Sequence, residues 1–200
     1  MPAAHPQEGA FAASGTSIAL CEDGNIYFGT GGVSAARVFH SHDGGRSWTA
    51  VNTPIASGNA SSGIFSVACG GFQVVAVGGD YRDPTNAKRV AAYSNDAGES
   101  WRLAEPQPGG YRSVVAEFAN GDFAAVGPNG TDVSEQQRDG QTKEWVVRWQ
   151  HTDPLNLNSA SFDGSQGWAV GPKGTIARFK THFFYEIRNR APGDTPLSGR

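Results

Sequence analysis

Ser41-His42-Asp43-Gly44-Gly45-Arg46-Ser47-Trp48 returns 53 positions later as Ser94-Asn95-Asp96-Ala97-Gly98-Glu99-Ser100-Trp101. Both octets read S-x-D-x-G-x-S-W, and each has the makings of a self-satisfied turn. The aspartates Asp43 and Asp96 can accept hydrogen bonds from amides of their own loops, and Ser41 and Ser94 add a second local bond. Gly45 and Gly98 supply a positive φ. Trp48 and Trp101 then open a strand, where a large ring can fill the wedge between neighbouring sheets. A second series runs beside the first: Asp23-Gly24, Gly70-Gly71, Asn120-Gly121 and Asp163-Gly164 lie 47, 50 and 43 positions apart. Repeats of this length mark propellers or solenoids.

The second repeat sets the template. Residues 64–69 and 72–78 carry β-branched and alternating apolar side chains around Gly70-Gly71, which predicts a hairpin. A loop over 79–88 contains Pro84 and interrupts pairing. Residues 89–94 and 101–105 flank the second S-x-D-x-G-x-S-W turn. Four antiparallel strands per repeat make one propeller blade. The first repeat places strands at 16–21, 25–30, 37–40 and 48–52. The third places them at 111–118, 123–126 and 145–149, with a degenerate last turn in which Asp139-Gly140 and Trp145 survive at altered spacing. The fourth has 159–162, 167–171 and 175–179, with 183–187 as its closing strand. The expected architecture is all-β, with blades over roughly 9–53, 62–106, 109–150 and 157–188. Residues 189–200 have the composition of a disordered tail. Thr30-Gly31, Val77-Gly78, Val126-Gly127 and Val170-Gly171 end the second strand of each repeat alike, as a bend or close approach would require.

Composition agrees with this pattern. The 27 glycines and 11 prolines in 200 residues suit short strands and tight turns, and no long window has helical apolar periodicity. A net charge of -3, with scattered basic residues, argues against nucleic acid as a partner. No stretch approaches the roughly 20 apolar residues of a membrane-spanning helix, so no membrane insertion is expected. Residues 1–10 show no basic region followed by an apolar core, so no signal peptide is expected. Cys21 and Cys69 fall near the ends of equivalent strands and read first as two small buried side chains, a disulfide being the alternative. No metal-ligand cysteine spacing exists.

The S-x-D-x-G-x-S-W turn resembles the Asp box, or BNR repeat, of sialidases and other propellers. Gly167-Trp168-Ala169-Val170-Gly171-Pro172-Lys173-Gly174-Thr175-Ile176 resembles the G-W-A-V-G-x-x-G-x-I signature of the photosystem II stability/assembly factor family. Gly78-Gly79-Asp80-Tyr81-Arg82 and Gly109-Gly110-Tyr111-Arg112-Ser113 look typical of its bacterial branch. The similarity runs over roughly residues 8–180 and matches the C-terminal half of a complete propeller, because family members have six or seven blades and are usually exported. It implies a non-catalytic scaffold whose partner is a protein, by resemblance a membrane-protein complex under assembly. An open half ring would expose strand edges and favour self-association.

In a propeller the loops after each second strand and between blades share one face. Asp80, Tyr81, Arg82, Tyr111 and Arg112 fall there in adjacent blades, and form the candidate binding patch. Arginine offers a bidentate fork for carboxylates and tyrosine a rigid contact area. The structural alternative pairs Arg112 with Glu117 or Asp80 to tie blades together. A sialidase-like glycoside hydrolase or carbohydrate-binding propeller is the second functional class. It would press Arg82, Arg112, Tyr81, Tyr111, Glu117 and Asp80 into substrate-gripping and catalytic roles, but the Phe/Tyr-Arg-Ile-Pro segment of sialidases is absent. His40 and His42 share one side of a strand without an apparent third ligand, and read as exposed strand-end histidines. No metal or other cofactor is expected, and no G-x-G-x-x-G nucleotide loop is present.

Overall fold

A computed structural model describes residues 1–12, 15–118 and 121–180, with the backbone of 183–186. After the short strand β1 (Glu8–Gly9), blade 1 is built from β2 (Ile18–Leu20), β3 (Ile26–Gly29), β5 (Arg37–Ser41) and β6 (Thr49–Asn52), with β4 (Gly31–Gly32) leaving it between β3 and β5. Blade 2 comprises β7 (Ser62–Gly70), β8 (Gln73–Asp80), β9 (Ala91–Ser94) and β10 (Arg102–Leu103). Blade 3 comprises β11 (Val114–Glu117), β12 (Phe123–Gly127), β13 (Gly130–Arg138) and β14 (Trp145–Asp153). Blade 4 comprises β15 (Ser159–Asp163), β16 (Gln166–Val170), β17 (Ile176–Lys180) and β18 (Phe183–Glu186). Within each blade successive strands pair in antiparallel ladders, for example Ser62↔Asp80 and Gly70↔Gln73 of β7 and β8, whose two-residue turn is Gly71-Phe72, one position on from the expected Gly70-Gly71.

The blades are joined by three apolar seams. Tyr27, Val38, Val67, Val74 and Trp101 pack blade 1 on blade 2. Val75, Tyr93, Val115, Phe123 and Trp149 pack blade 2 on blade 3. Val114, Phe118, Val133, Leu157 and Phe179 pack blade 3 on blade 4. No fourth seam links blade 4 to blade 1 among the described residues, so the blades form an open arc. The burial patterns follow from this. Nearly every residue of β7 and β8 is buried because blade 2 is covered on both faces. In β16 and β17 alternate residues are exposed, because blade 4 has a neighbour on one side only. Trp168 (49% exposed), Val170 and Ile176 line its open face, and Ile18 and Leu20 are exposed on blade 1.

The first seam carries extra fastenings. Cys21 and Cys69, 48 residues apart, form a disulfide between the inner strands of blades 1 and 2. This corrects the expectation of two separate buried thiols. The N-terminal segment straps the same pair: β1 pairs with β4, and Gly31 of β4 opposes Gly63 of β7. Glu8 is locked beneath the strap by Arg37, whose Nε donates at 2.8 Å, and by the Thr30 hydroxyl at 2.6 Å and the His5 amide at 2.6 Å. Phe11 stacks on Phe65 with ring centroids 4.1 Å apart.

Blade 3 completes the part that the sequence leaves blank. Its third strand, β13, was not assigned from the sequence, and β14 runs on to Asp153 rather than stopping near 149. The degenerate turn keeps its chemistry: Asp139 Oδ1 accepts from the amides of Gln141 (2.9 Å) and Thr142 (2.7 Å). The proposed tail at 189–200, the residue Ile187 and Asn120 of the third hairpin turn lie outside the described residues.

Candidate functional site

The two S-x-D-x-G-x-S-W turns have the same internal wiring. In the first, the Ser41 hydroxyl accepts from the Gly45 amide (2.8 Å) while donating to Asp43 (2.9 Å). Asp43 accepts from the amides of Arg46 (2.9 Å) and Ser47 (2.8 Å) and from the Ser47 hydroxyl (2.6 Å). Trp48 Nε1 donates to the Gly45 carbonyl at 3.0 Å. The second repeats this at Ser94, Asp96, Gly98, Ser100 and Trp101, with Trp101 Nε1 donating to the Gly98 carbonyl at 3.1 Å. Gly45 and Gly98 sit at φ 87° and 91°, the left-handed region that the turn requires. The bonds from Ser47 and Ser41 hold the Asp43 carboxyl well below its ordinary range. These aspartates are thus satisfied within their own loops. The tryptophans differ: Trp101 is 9% exposed in the seam between blades 1 and 2, whereas Trp48 is half-buried against Phe28.

At the opposite end of the blades, the loops after β8 and before β11 meet. The Asp80 carboxylate accepts from the Arg82 amide (2.9 Å) and from Asn59 Nδ2 (2.9 Å), which fixes the start of the loop. Burial alone would raise its pKa, but bonds from Ser61, Arg82 and Asn59 outweigh this and lower it. The Tyr111 amide donates to the Pro84 carbonyl (3.0 Å) and the Arg112 amide to the Gly78 carbonyl (3.0 Å), tying blade 3 to blade 2. Tyr81 is 46% exposed and stands over an aromatic tier. Its ring meets Phe65 edge-on at 6.1 Å, and Phe65 meets buried Tyr111 at 4.8 Å. The Arg82 guanidinium lies 5.9 Å from the Tyr81 ring centroid.

The candidate patch is therefore only partly at the surface. Tyr81 and Arg82 are exposed, Asp80 orders their turn, and Tyr111 is buried beneath them. Arg112 is corrected outright: it is 0% exposed and the largest fully buried side chain. Its Nε and Nη2 donate to Asp132, Nε at 2.6 Å; its Nη1 donates to Asn129 Oδ1 (2.5 Å) and to the Tyr111 carbonyl (2.9 Å). Burial lowers the pKa of this guanidinium, and Asp132 works against that shift. Its partner is neither Glu117 nor Asp80 but Asp132 on β13 of the same blade. The sequence offered no direct sign of the pairing, because β13 could not be placed without its turn.

Glu117 and Asp80 are separated by the fold. Asp80 ends β8 at the loop just described, whereas Glu117 pairs with Phe123 at the hairpin end of β11. That hairpin end holds a cleft of about 690 Å³, lined by Ile18, Glu22, Asp23, Tyr27, Phe72 and Glu117 among others. Burial, with the charge of Glu22 added, raises the Glu117 pKa against the lowering bond from the Gly121 amide. His40 is buried rather than exposed, and faces His42 across 2.8 Å from Nδ1 to Nε2. Among the described residues no helix is long and apolar enough to cross a membrane.

No protein-family model matches the sequence, and no curated protein matches it. Among solved structures, the chain is similar to YCF48 bound to a D1 peptide, with a TM-score of 0.57 and 14% sequence identity. The match covers 92% of this chain and 57% of that one, so the chain spans less than two thirds of its structural neighbour. At this identity the likeness is one of fold: an all-β arc of propeller blades.

Proposed function

We propose that the chain is a non-catalytic propeller scaffold that binds a protein partner through the loops above blades 2 and 3. We read its two tryptophan turns as Asp boxes that stabilise blades rather than touch ligand. The observation that carries the reading is the Tyr81–Arg82 anchor. A half-exposed ring is held over a buried aromatic tier with a guanidinium beside it, and its loop is pre-set by Asp80. Rigid tyrosine and arginine at a fixed surface point are what interface anchors are made of. The likeness to a propeller that holds a peptide is consistent with an extended segment as the occupant. By resemblance to the assembly-factor family, that segment would belong to a membrane-protein complex.

The test is fluorescence anisotropy with labelled peptides, the D1 peptide of the YCF48 complex among them, against wild type, Tyr81→Ala and Arg82→Ala. Loss of an anchor should weaken binding about tenfold or more while thermal stability stays nearly unchanged. Unaltered affinity in both variants would remove the site from this loop.

The second reading, a carbohydrate-binding or glycoside-hydrolase propeller, is favoured by the cleft at the hairpin end. There the raised Glu117 carboxyl faces a space of small-ligand size. Asp80 cannot serve as its catalytic partner from the far end of the blades. Glycan-array binding that is lost in Glu117→Gln would establish this second class.

A further inference from the structure

The two tryptophan turns are alike in their wiring, yet the residues at their variable positions differ at the blade joints. With the 53-residue offset, His40, His42 and Arg46 of blade 1 correspond to Tyr93, Asn95 and Glu99 of blade 2. At the joint between blades 2 and 3, Asn95 accepts from Gln73 Nε2 (2.7 Å) and donates to the Trp145 carbonyl (2.8 Å), so amides close that joint. At the joint between blades 1 and 2 the same positions bring together imidazoles and a carboxylate. His42 from the first turn meets Glu99 from the second, with Nε2 to Oε1 at 3.7 Å, and His40 Nδ1 lies 2.8 Å from His42 Nε2. One nitrogen or oxygen from each of the three residues lies within 4.8 Å of the other two.

We propose that His40, His42 and Glu99 form a binding site for a divalent late-transition-metal ion, with Zn²⁺ the best fit, clamping blade 1 to blade 2. Imidazole with carboxylate is a donor set suited to such ions. Bonds of about 2.0–2.1 Å in a tetrahedral site set ligand atoms roughly 3.4 Å apart, so the donors need move only slightly to close on an ion. Water can complete the coordination, because the His42 and Glu99 side chains are 40% and 61% exposed while His40 lies beneath them.

The surroundings prepare the histidines for this role. His42 Nδ1 lies 2.8 Å from Asn25 Oδ1, which makes Nδ1 the protonated nitrogen and leaves the Nε2 lone pair facing the site. Asn25 is itself fixed by Asp23, through its amide (2.9 Å) and Nδ2 (2.7 Å). A ligating histidine whose second nitrogen donates to an oriented oxygen is the usual outer-shell arrangement of metal sites. His40 Nε2 is buried with no hydrogen-bond partner. The His42 Nε2 lone pair, 2.8 Å away, places the His40 proton on Nδ1 in the metal-free site, while Nε2 is held by no partner and can take that proton so that Nδ1 offers its lone pair. Without metal, a proton on His40 Nδ1 bridges to His42 Nε2. When the ion enters, it takes that position, and the proton moves to Nε2 of His40, so the ring remains neutral.

The full chain, stripped with chelator, is titrated with zinc chloride by calorimetry and by competition with a chromophoric chelator. One equivalent should bind and raise the thermal midpoint. His42→Ala and Glu99→Gln should each weaken binding by at least the 10- to 100-fold expected for Asn25→Ala, and zinc should no longer raise their midpoints. Both sites of substitution are exposed, so the variants fold even if a His40 variant does not. His5→Ala and His151→Ala, at exposed histidines elsewhere, should bind as wild type does. The proposal is overturned if zinc fails to bind, or if Glu99→Gln and His42→Ala bind it unchanged.

Discussion

Arg112→Met should be among the most damaging single substitutions in this protein. Four polar contacts converge on the guanidinium, two of them from Asp132, a carboxylate only 1% exposed. Removing the arginine leaves Asp132 with the Gly109 amide, at 3.2 Å, and His151 Nδ1, at 3.4 Å. Breaking a buried pair from one side costs about 3–5 kcal/mol, because the other charge stays buried without compensation. For a chain of this size that lowers the melting midpoint by roughly 10 °C. Urea denaturation should show the loss, with Arg82→Ala as a surface control within about 0.5 kcal/mol of wild type. Arg112→Met combined with Asp132→Leu should recover most of the deficit, since an apolar pair of similar volume removes the stranded charge. A loss below about 1 kcal/mol, or a double variant no better than the single one, would refute this account.

Trp101→Ala should cost about 3–5 kcal/mol in chemical denaturation as a buried aromatic, whereas half-buried Trp48→Ala should cost clearly less; equal costs would deny Trp101 its place in the seam. Replacing Cys21 and Cys69 by serine opens a 48-residue loop and should lower stability by about 4 kcal/mol on the chain-entropy view, read as the midpoint difference between oxidised and variant protein. At Glu8, burial alone would raise the pKa, but bonds from Arg37, Thr30 and the His5 amide outweigh it and bring the carboxyl to about 2. Its contribution is therefore complete above the ordinary carboxyl value of 4.5 and is lost as pH falls toward 2. An acid titration of Glu8→Gln beside wild type should show the two curves converging over that window.

The fold was legible because its signals are local. The S-x-D-x-G-x-S-W turns satisfy themselves within eight residues, and the Gly70-Gly71 hairpin is flanked by alternating apolar side chains, so spacing alone marks the blades. What escaped the sequence depends on neighbours brought in by register. Arg112 finds Asp132 only once β13 is paired, and Glu99 reaches His42 only when two blades pack. The disulfide lay between these cases: Cys21 and Cys69 stand at matching ends of inner strands one repeat apart, and inner strands of adjacent blades lie side by side. That spacing was the available sign of a covalent link. Of the candidate patch, the loop carrying Tyr81 and Arg82 was placed by topology, but burial of Tyr111 and Arg112 required the packing itself.

The fastenings along the arc are unequal, and this sets the order in which it comes apart. Blades 1 and 2 share a disulfide, the Glu8–Arg37 strap and the Trp101 wedge. Blade 4 meets blade 3 through Val114, Phe118, Leu157 and Phe179, with the Ser113 hydroxyl donating to the Asn158 carbonyl at 2.9 Å. In an array where each unit touches only its neighbours, opening proceeds from the weakest end. Blade 4 should therefore peel away while the first three blades stay folded. Its departure bares a fresh apolar face on blade 3, so a pulling force, a protease or a sticky encounter would act first on the carboxyl-terminal quarter of the chain.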